Sequence, residues 1–509
     1  MRGPRRGTGW AEVMEPPNAA SAGTKVKMVQ FKARQFEQSG INDPPQTYFR
    51  TVDDVARRLK PEAPVQCVFP EVIRAQARRF LGQFPGEVLY AVKCNPGAEF
   101  LRHMHDAGIR HFDVASLDEV RLVKSLFPQR ERNGGVSLHF MHPVKSRDSI
   151  RTAYKLGVRT FALDSVGELM KILEETKSAK DLKLFVRLAV SGNAAAYDLS
   201  GKFGAAPSVA ADLLRHARKV AHKLGICFHV GSQCMDPAAY RAAIERAGEV
   251  IGKAKVKVDV IDVGGGFPAT YPNMTPPPLE TYLAAITDAA QHLVAEGGVA
   301  AGAALWCEPG RAMVAAGAAM LVRVTLRKGR RLFINDGTYG SLFDAGALNW
   351  RFPVRLVRPS GRIGKNSNAP NTRLPSEKLV PFVFYGPTCD NMDKMKGPFL
   401  LPEDTQEGDW IEIGMLGAYG SAMQTRFNGF HSSVAATVWP EAAPFAVDQR
   451  SRRRATLQEV SRAVTEREAS GQAHLQLTPS TENGEGMSSK PQSELFTNDN
   501  AASPGLELK

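Results

Sequence analysis

The feature that most restricts the fold of this chain is a series of short apolar runs, each followed by a helix-like amphipathic stretch. The runs occupy residues 88–92, 110–114, 136–140, 160–163, 184–188, 226–230, 258–263 and 304–307. Their shortness and near-continuous apolarity predict buried parallel strands. The first five recur about every 24 residues, the length of one βα unit, so the pattern predicts an α/β fold built on a (β/α)8 barrel of TIM type. The later spacings are longer and call for insertions, with 192–203 and 271–278 as the candidates.

The polar residues at the ends of these runs sharpen the prediction. Lys93 comes directly after the first, Asp113 ends the second, His142 comes after the third and Asp164 after the fourth. Arg187 lies at the end of the fifth, His229 ends the sixth, Gly264, Gly265 and Gly266 come after the seventh, and Glu308 after the eighth. In such a barrel the C-terminal strand ends form one face, and chemistry sits there. Polar groups gathered at those ends predict a site rather than a merely structural sheet.

After about residue 315 the texture changes to short strand-like runs at 320–326, 331–334, 354–357, 381–385 and 410–413, separated by turn-rich stretches such as 361–376. This predicts a second, all-β domain. The division is then a disordered basic tail at 1–27, a strand segment joining the β domain at 28–55, a barrel at 56–315, a β domain at 316–440, and a largely disordered tail at 441–509 with one candidate helix at 457–468.

Composition excludes several alternatives. The longest apolar run, 312–322, is bounded by arginines and too short to cross a bilayer. The N-terminus lacks the ordered regions of a secretory signal. The six cysteines include no C-x-x-C pair, which argues against a zinc site and suits a reducing cytoplasm. The net charge of +13 is spread along the chain, with clusters only in the tails, so nucleic acid is not the expected partner.

Several residues carry candidate chemistry. A lysine at a barrel mouth can form a Schiff base with an aldehyde cofactor. The Asp262-Val263-Gly264-Gly265-Gly266-Phe267 junction can close backbone N–H groups around a phosphate, and it lacks the spacing of a dinucleotide loop. Glu308 can pair with a protonated ring nitrogen and Arg311 can grip phosphate as a fork. His229 can stack on a ring, and Ser232 offers a hydroxyl. Cys389 and Asp390 pair a thiol donor with a carboxylate that can bind an amine. Tyr419 is either a phosphate ligand or a packed aromatic.

Together these stretches resemble the ornithine decarboxylase family, the barrel-type, alanine-racemase-like pyridoxal-phosphate decarboxylases of ornithine, lysine, diaminopimelate and arginine. The resemblance runs from about residue 45 to about 435. It rests on Ala91-Val92-Lys93-Cys94-Asn95, Phe112-Asp113-Val114-Ala115-Ser116, Leu163-Asp164-Ser165, His229-Val230-Gly231-Ser232, the three-glycine junction, Glu308-Pro309-Gly310-Arg311, Asn335-Asp336-Gly337, Tyr385-Gly386-Pro387-Thr388-Cys389-Asp390 and Phe427-Asn428-Gly429-Phe430.

The resemblance implies pyridoxal 5'-phosphate as cofactor and assigns roles. Lys93 holds the cofactor aldehyde, Glu308 keeps the ring nitrogen protonated, and His229 stacks on the ring. Ser232, Gly264, Gly265, Gly266, Arg311 and Tyr419 hold the phosphate. Asp113 and Arg187 lie near the lysine and the ring substituents. Cys389 returns a proton to the substrate carbon, and Asp390 binds the distal amine. It also implies an obligate homodimer in which Cys389 and Asp390 reach across to the partner's barrel, with ornithine as first substrate and lysine as alternative. One segment departs from the pattern. The family has a Tyr-Asp pair after Tyr-Gly-Ser, whereas this chain continues from Tyr339-Gly340-Ser341 through Asp344 to Asn349. Asp344 or Asn349 is the expected substitute at the substrate's far end. A regulatory homologue of the antizyme-inhibitor kind, without activity, is the contrasting reading; such relatives lose cofactor-binding residues, which are present here.

Overall fold

A computed structural model describes residues 48–439 except 129–134, 298, 301–302, 359–373 and 432. The predicted tails, the candidate helix at 457–468 and most of the 361–376 stretch fall outside the described residues.

Eight parallel strands close into a barrel in chain order: Glu87–Ala91, His111–Val114, Ser137–Phe140, Thr160–Leu163, Lys183–Arg187, Lys223–Cys227, Val260–Asp262 and Ala304–Cys307. Leu89, Met141, Ala162, Phe185, Cys227, Val260 and Trp306 fill the interior, with Trp306 stacked 4.9 Å from Phe185, so the barrel is a packed core and not a channel. The helices between strands start on sequence signals. Ser116 Oγ accepts from Glu119 N, Ser146 Oγ from Ser149 N and Ser165 Oγ from Glu168 N, each satisfying a donor the helix leaves open.

Seven of the predicted strands coincide with observed ones to within two residues. The sixth lies three residues earlier than 226–230. Strand pairing decides this: Lys183↔Lys223 through Arg187↔Cys227 align it with the fifth strand, so Phe228, His229 and Val230 become the loop that leaves the barrel. His229 therefore lies beyond its strand rather than ending it. The insertion at 192–203 contributes a short strand, Ala195–Tyr197, paired with Ser232–Cys234.

The second domain is a mixed sheet. Its long strand Ala318–Lys328 pairs with Arg331–Ile334 at one end and with Trp410–Ile413 and Val65–Val68 nearer its start. Val354–Val357 flanks Trp410–Ile413; Leu379–Tyr385 and the edge strand Lys394–Pro402 extend the other side. Val434–Thr437 pairs with Val65–Val68.

The predicted N-terminal strand segment at 28–55 lies mostly outside the described residues. Within the described part of 28–55 there is only a single bridge, Phe49 to Val438, followed by the helix Val52–Leu59. The strand that enters the sheet is Val65–Val68, so residues up to about 69 belong to the β domain rather than to the barrel. Arg355 fastens that first helix to the sheet, bonding Asp53 Oδ2 at 2.7 Å and the fully buried Glu412. The domain is also not purely β: a short helix, Phe343–Ala347, sits beside the barrel mouth.

Candidate active site

The site forms where the barrel's C-terminal strand ends meet a loop of the β domain. The first strand ends in a tight turn carrying Lys93, and this turn is held from the β domain: Asn95 Nδ2 donates to Gly417 O at 2.8 Å, and Tyr419 N donates to Cys94 O at 2.9 Å. Lys93 Nζ donates to Asp113 Oδ2 at 2.9 Å. Burial alone would lower the proton affinity of Lys93. Asp113, followed by Glu308, outweighs that and raises it.

The glycine run builds the opposite wall. Gly264 and Gly266 have φ of +66° and +109°, left-handed conformations that side chains rarely adopt. Gly265 is needed for space instead: a Cβ there would stand 2.8 Å from the Glu308 carbonyl and 3.0 Å from His229 Nε2. Glu308 N donates to Gly264 O at 2.8 Å, which fixes the eighth strand end against this loop.

Glu308 lies buried beside Asp262. Burial raises the proton affinity of Glu308 well above the carboxylate range, and Asp262 reinforces it; burial likewise lifts Asp262 to about 6. Asp262 Oδ1 accepts from Gly264 N at 2.9 Å. Its Oδ2 is buried without a donor unless one of the two carboxyls keeps a proton. Arg187, at the end of the fifth strand, draws both carboxyls toward the charged form. His229 is held neutral by burial and by Arg187 and Lys93. Its Nδ1 accepts from Gly231 N at 3.0 Å, so the ring proton sits on Nε2.

Arg311 opens the turn after Glu308. Its Nη1 donates to Asp344 Oδ2 at 2.9 Å and to the Tyr271 hydroxyl at 3.0 Å, and Nη2 reaches Ser232 Oγ at 3.4 Å. Its Nε is buried with no acceptor. Trp350 and Tyr419 cover the guanidinium at 4.5 and 4.7 Å. The pocket between these walls is lined by Lys93, His229, Ser232, Gly265, Gly266, Glu308, Arg311 and Tyr419, among others.

The expected residues thus fall into two groups. The cofactor residues expected around Lys93 gather at one mouth. Cys389 and Asp390 lie elsewhere, on the exposed loop between Leu379–Tyr385 and Lys394–Pro402, and do not line this pocket. Cys389 Sγ bonds Asn428 Oδ1 at 3.2 Å, and Asp390 accepts from the Tyr339 hydroxyl. Asp344, expected at the substrate's far end, is buried and ion-paired with Arg311. Asn349 is exposed, at a left-handed φ of +56°. Asp262, Tyr271 and Trp350 received no role from the sequence. Asp262 was within reach, since it heads the glycine stretch; the other two meet Arg311 only through folding.

A lysine ion-paired at the barrel mouth, a glycine cradle with a half-satisfied arginine, and a buried acid fit an anionic, aldehyde-bearing ring cofactor. A family model described as "Pyridoxal-dependent decarboxylase, pyridoxal binding domain" matches residues 71–315. The lysine/ornithine decarboxylase of Selenomonas ruminantium is 32% identical over 352 residues, covering 68% of this chain and 81% of that protein. The ornithine decarboxylase of Caenorhabditis elegans is 33% identical over 382 residues, covering 70% and 82%. The crystal structure of the Paramecium bursaria Chlorella virus arginine decarboxylase bound to agmatine superposes with a TM-score of 0.63 at 28% identity, covering 76% of this chain and 99% of that one. The chain belongs to the ornithine decarboxylase-like family of pyridoxal-phosphate-dependent decarboxylases of basic amino acids.

Proposed function

We propose that this protein decarboxylates L-ornithine to putrescine, as an obligate homodimer with shared active sites. The observation that carries the reading is the meeting of Lys93, Glu308 and Arg311 around the three-glycine loop at one barrel mouth. When bound, pyridoxal phosphate supplies an electron sink for the pair left behind as CO2 departs. Lys93 is the amine that holds the cofactor and yields to the substrate's α-amine, with Asp113 keeping it in place. Glu308 holds a proton at the ring nitrogen, and Asp262 and Arg187 govern how readily it does so. His229, neutral and fixed by Gly231, covers the ring face. Ser232, the glycines, Arg311 and Tyr419 take the phosphate.

Cys389 returns the proton to the α-carbon, and Asp390 binds the distal amine. Both act from the partner subunit, which fits the exposure of Cys389 and the separation of both from the pocket of their own chain. Lysine, one methylene longer, is the alternative substrate. Among the described residues no helix is long and apolar enough to cross a membrane, and all six cysteines are free, which supports a cytoplasmic enzyme.

Release of CO2 from ornithine, lysine, arginine and diaminopimelate, measured side by side, tests the reading. Ornithine is expected to give the highest kcat/KM, and Lys93→Ala to lose both the cofactor's visible absorbance and turnover. Lysine in first place would overturn the substrate, and cofactor binding without CO2 release from any of the four would favour a regulatory homologue.

A further inference from the structure

We propose that Asp344 is a positioning residue for the cofactor phosphate: it turns the Arg311 guanidinium so that one full edge faces the anion, and it does not read the substrate. This rests on the reading that Arg311 is a phosphate ligand.

A guanidinium offers its donors as two edges and can grip an oxyanion with either. Here the donors are unequally used. Nη1 is taken by Asp344 Oδ2 at 2.9 Å and by the Tyr271 hydroxyl at 3.0 Å. On the opposite edge, Nη2 has only the long 3.4 Å contact to Ser232 Oγ, and Nε has no acceptor although it is buried. Nη2 on that edge reaches Ser232, which lines the same pocket as Gly265 and Gly266, the proposed seat of the phosphate. A donor left unmet in a buried place costs free energy unless something arrives to accept from it. Trp350 and Tyr419, stacked on the guanidinium at 4.5 and 4.7 Å, prevent it from tilting away.

Asp344 is poorly placed for any other duty. It is 6% exposed, and its carboxylate is ion-paired to Arg311. Burying an acid with one cationic partner gains little stability by itself, because desolvation offsets the attraction. Its position on the short helix Phe343–Ala347 means that the β domain aims a barrel arginine.

The test uses protein stripped of cofactor and titrated with pyridoxal phosphate or with pyridoxal, which lacks the phosphate, followed by absorbance. Asp344→Ala is expected to weaken pyridoxal phosphate by about tenfold or more, the size of a charge-assisted contact, and to leave pyridoxal unchanged. Asp344→Asn, which keeps the volume and one acceptor, should fall between and serves if the alanine variant fails to fold. At saturating cofactor, KM for ornithine and for lysine should stay at the wild-type value. An unchanged pyridoxal phosphate affinity with a raised KM would make Asp344 a substrate reader and overturn the proposal; equal weakening of both ligands would make it merely structural. Arg311→Met separates the two readings: if it too leaves pyridoxal phosphate binding intact, Arg311 is not the phosphate ligand, and the site assignment fails first.

Discussion

At the scale of single residues, the three glycines do different work. Gly264 adopts a left-handed φ, and a Cβ there would stand 1.9 Å from the Phe228 carbonyl, so alanine at 264 strains the backbone itself. Gly265 has no such conformational need; it keeps space open between Glu308 and His229. Gly265→Ala is therefore expected to leave the circular dichroism spectrum unchanged and to weaken pyridoxal phosphate by about tenfold or more, as His229 is pushed from its place. Gly264→Ala should instead lower the melting temperature. An absorbance titration and a thermal melt of each variant check this, and wild-type cofactor affinity in Gly265→Ala would contradict it. The same distinction explains what is legible in the sequence. A run of three glycines announces a close approach but cannot say to what, and Asp344 reads as a candidate for the substrate's far end because nothing in its neighbours along the chain points to Arg311.

At the scale of elements, the barrel holds a chain of hydrogen bonds unrelated to the pocket. Glu87 pairs with His111 at 2.9 Å, His111 with His139 at 3.0 Å, and His139 with Thr160 at 3.1 Å, linking four consecutive strands. His139 lies against Trp306 at 4.8 Å. Burial, then His111 and Lys183, hold its proton affinity well below the ordinary histidine value. The unfolded chain takes up that proton near pH 6.5, while the folded one resists it, so the unfolded state binds more protons below that pH. Stability from this source is complete above about pH 6.5 and is lost as the pH falls. His111 and His229 are lowered in the same direction and add to the slope. Replacing His139 by Gln should flatten the fall in unfolding free energy, measured by urea denaturation, between pH 7.5 and pH 5, by up to about 1.4 kcal/mol per pH unit for one proton. Parallel slopes in the two proteins would remove His139 from the account. Elements also show where pattern reading stops. Lys394–Pro402 does not read as a strand because Gly397 and Pro398 interrupt it, and it is tolerated as the sheet's edge, where a missing N–H is harmless.

At the scale of the whole molecule, Cys389 and Asp390 stand apart from the pocket of their own chain, and the proposed shared site assigns them to the partner's. If the sites are shared, two inactive variants should complement each other. Mixing Lys93→Ala with Cys389→Ala at equal amounts, after dissociation and reassembly, gives half the dimers as hybrids with one intact site, hence about a quarter of wild-type activity. No recovery in hybrids verified by mass would place each site within one protomer. This is also the scale at which sequence and fold divide the work. The chain's periodic apolar runs pointed to the barrel by themselves, because eight short apolar runs alternating with amphipathic stretches at a βα spacing suit parallel strands covered by helices. The residues at the strand ends were equally legible: Lys93, Asp113, Glu308 and the glycines share a mouth simply because parallel strands point the same way. Tertiary structure alone decided what comes from the second domain. It put the 65–68 strand in the sheet, carried Tyr419 to Lys93, enclosed Arg311 between Trp350 and Tyr419, and buried Asp344 against it. Those contacts join residues far apart in the chain across a domain boundary, and no local pattern specifies which side chain a buried charge will meet.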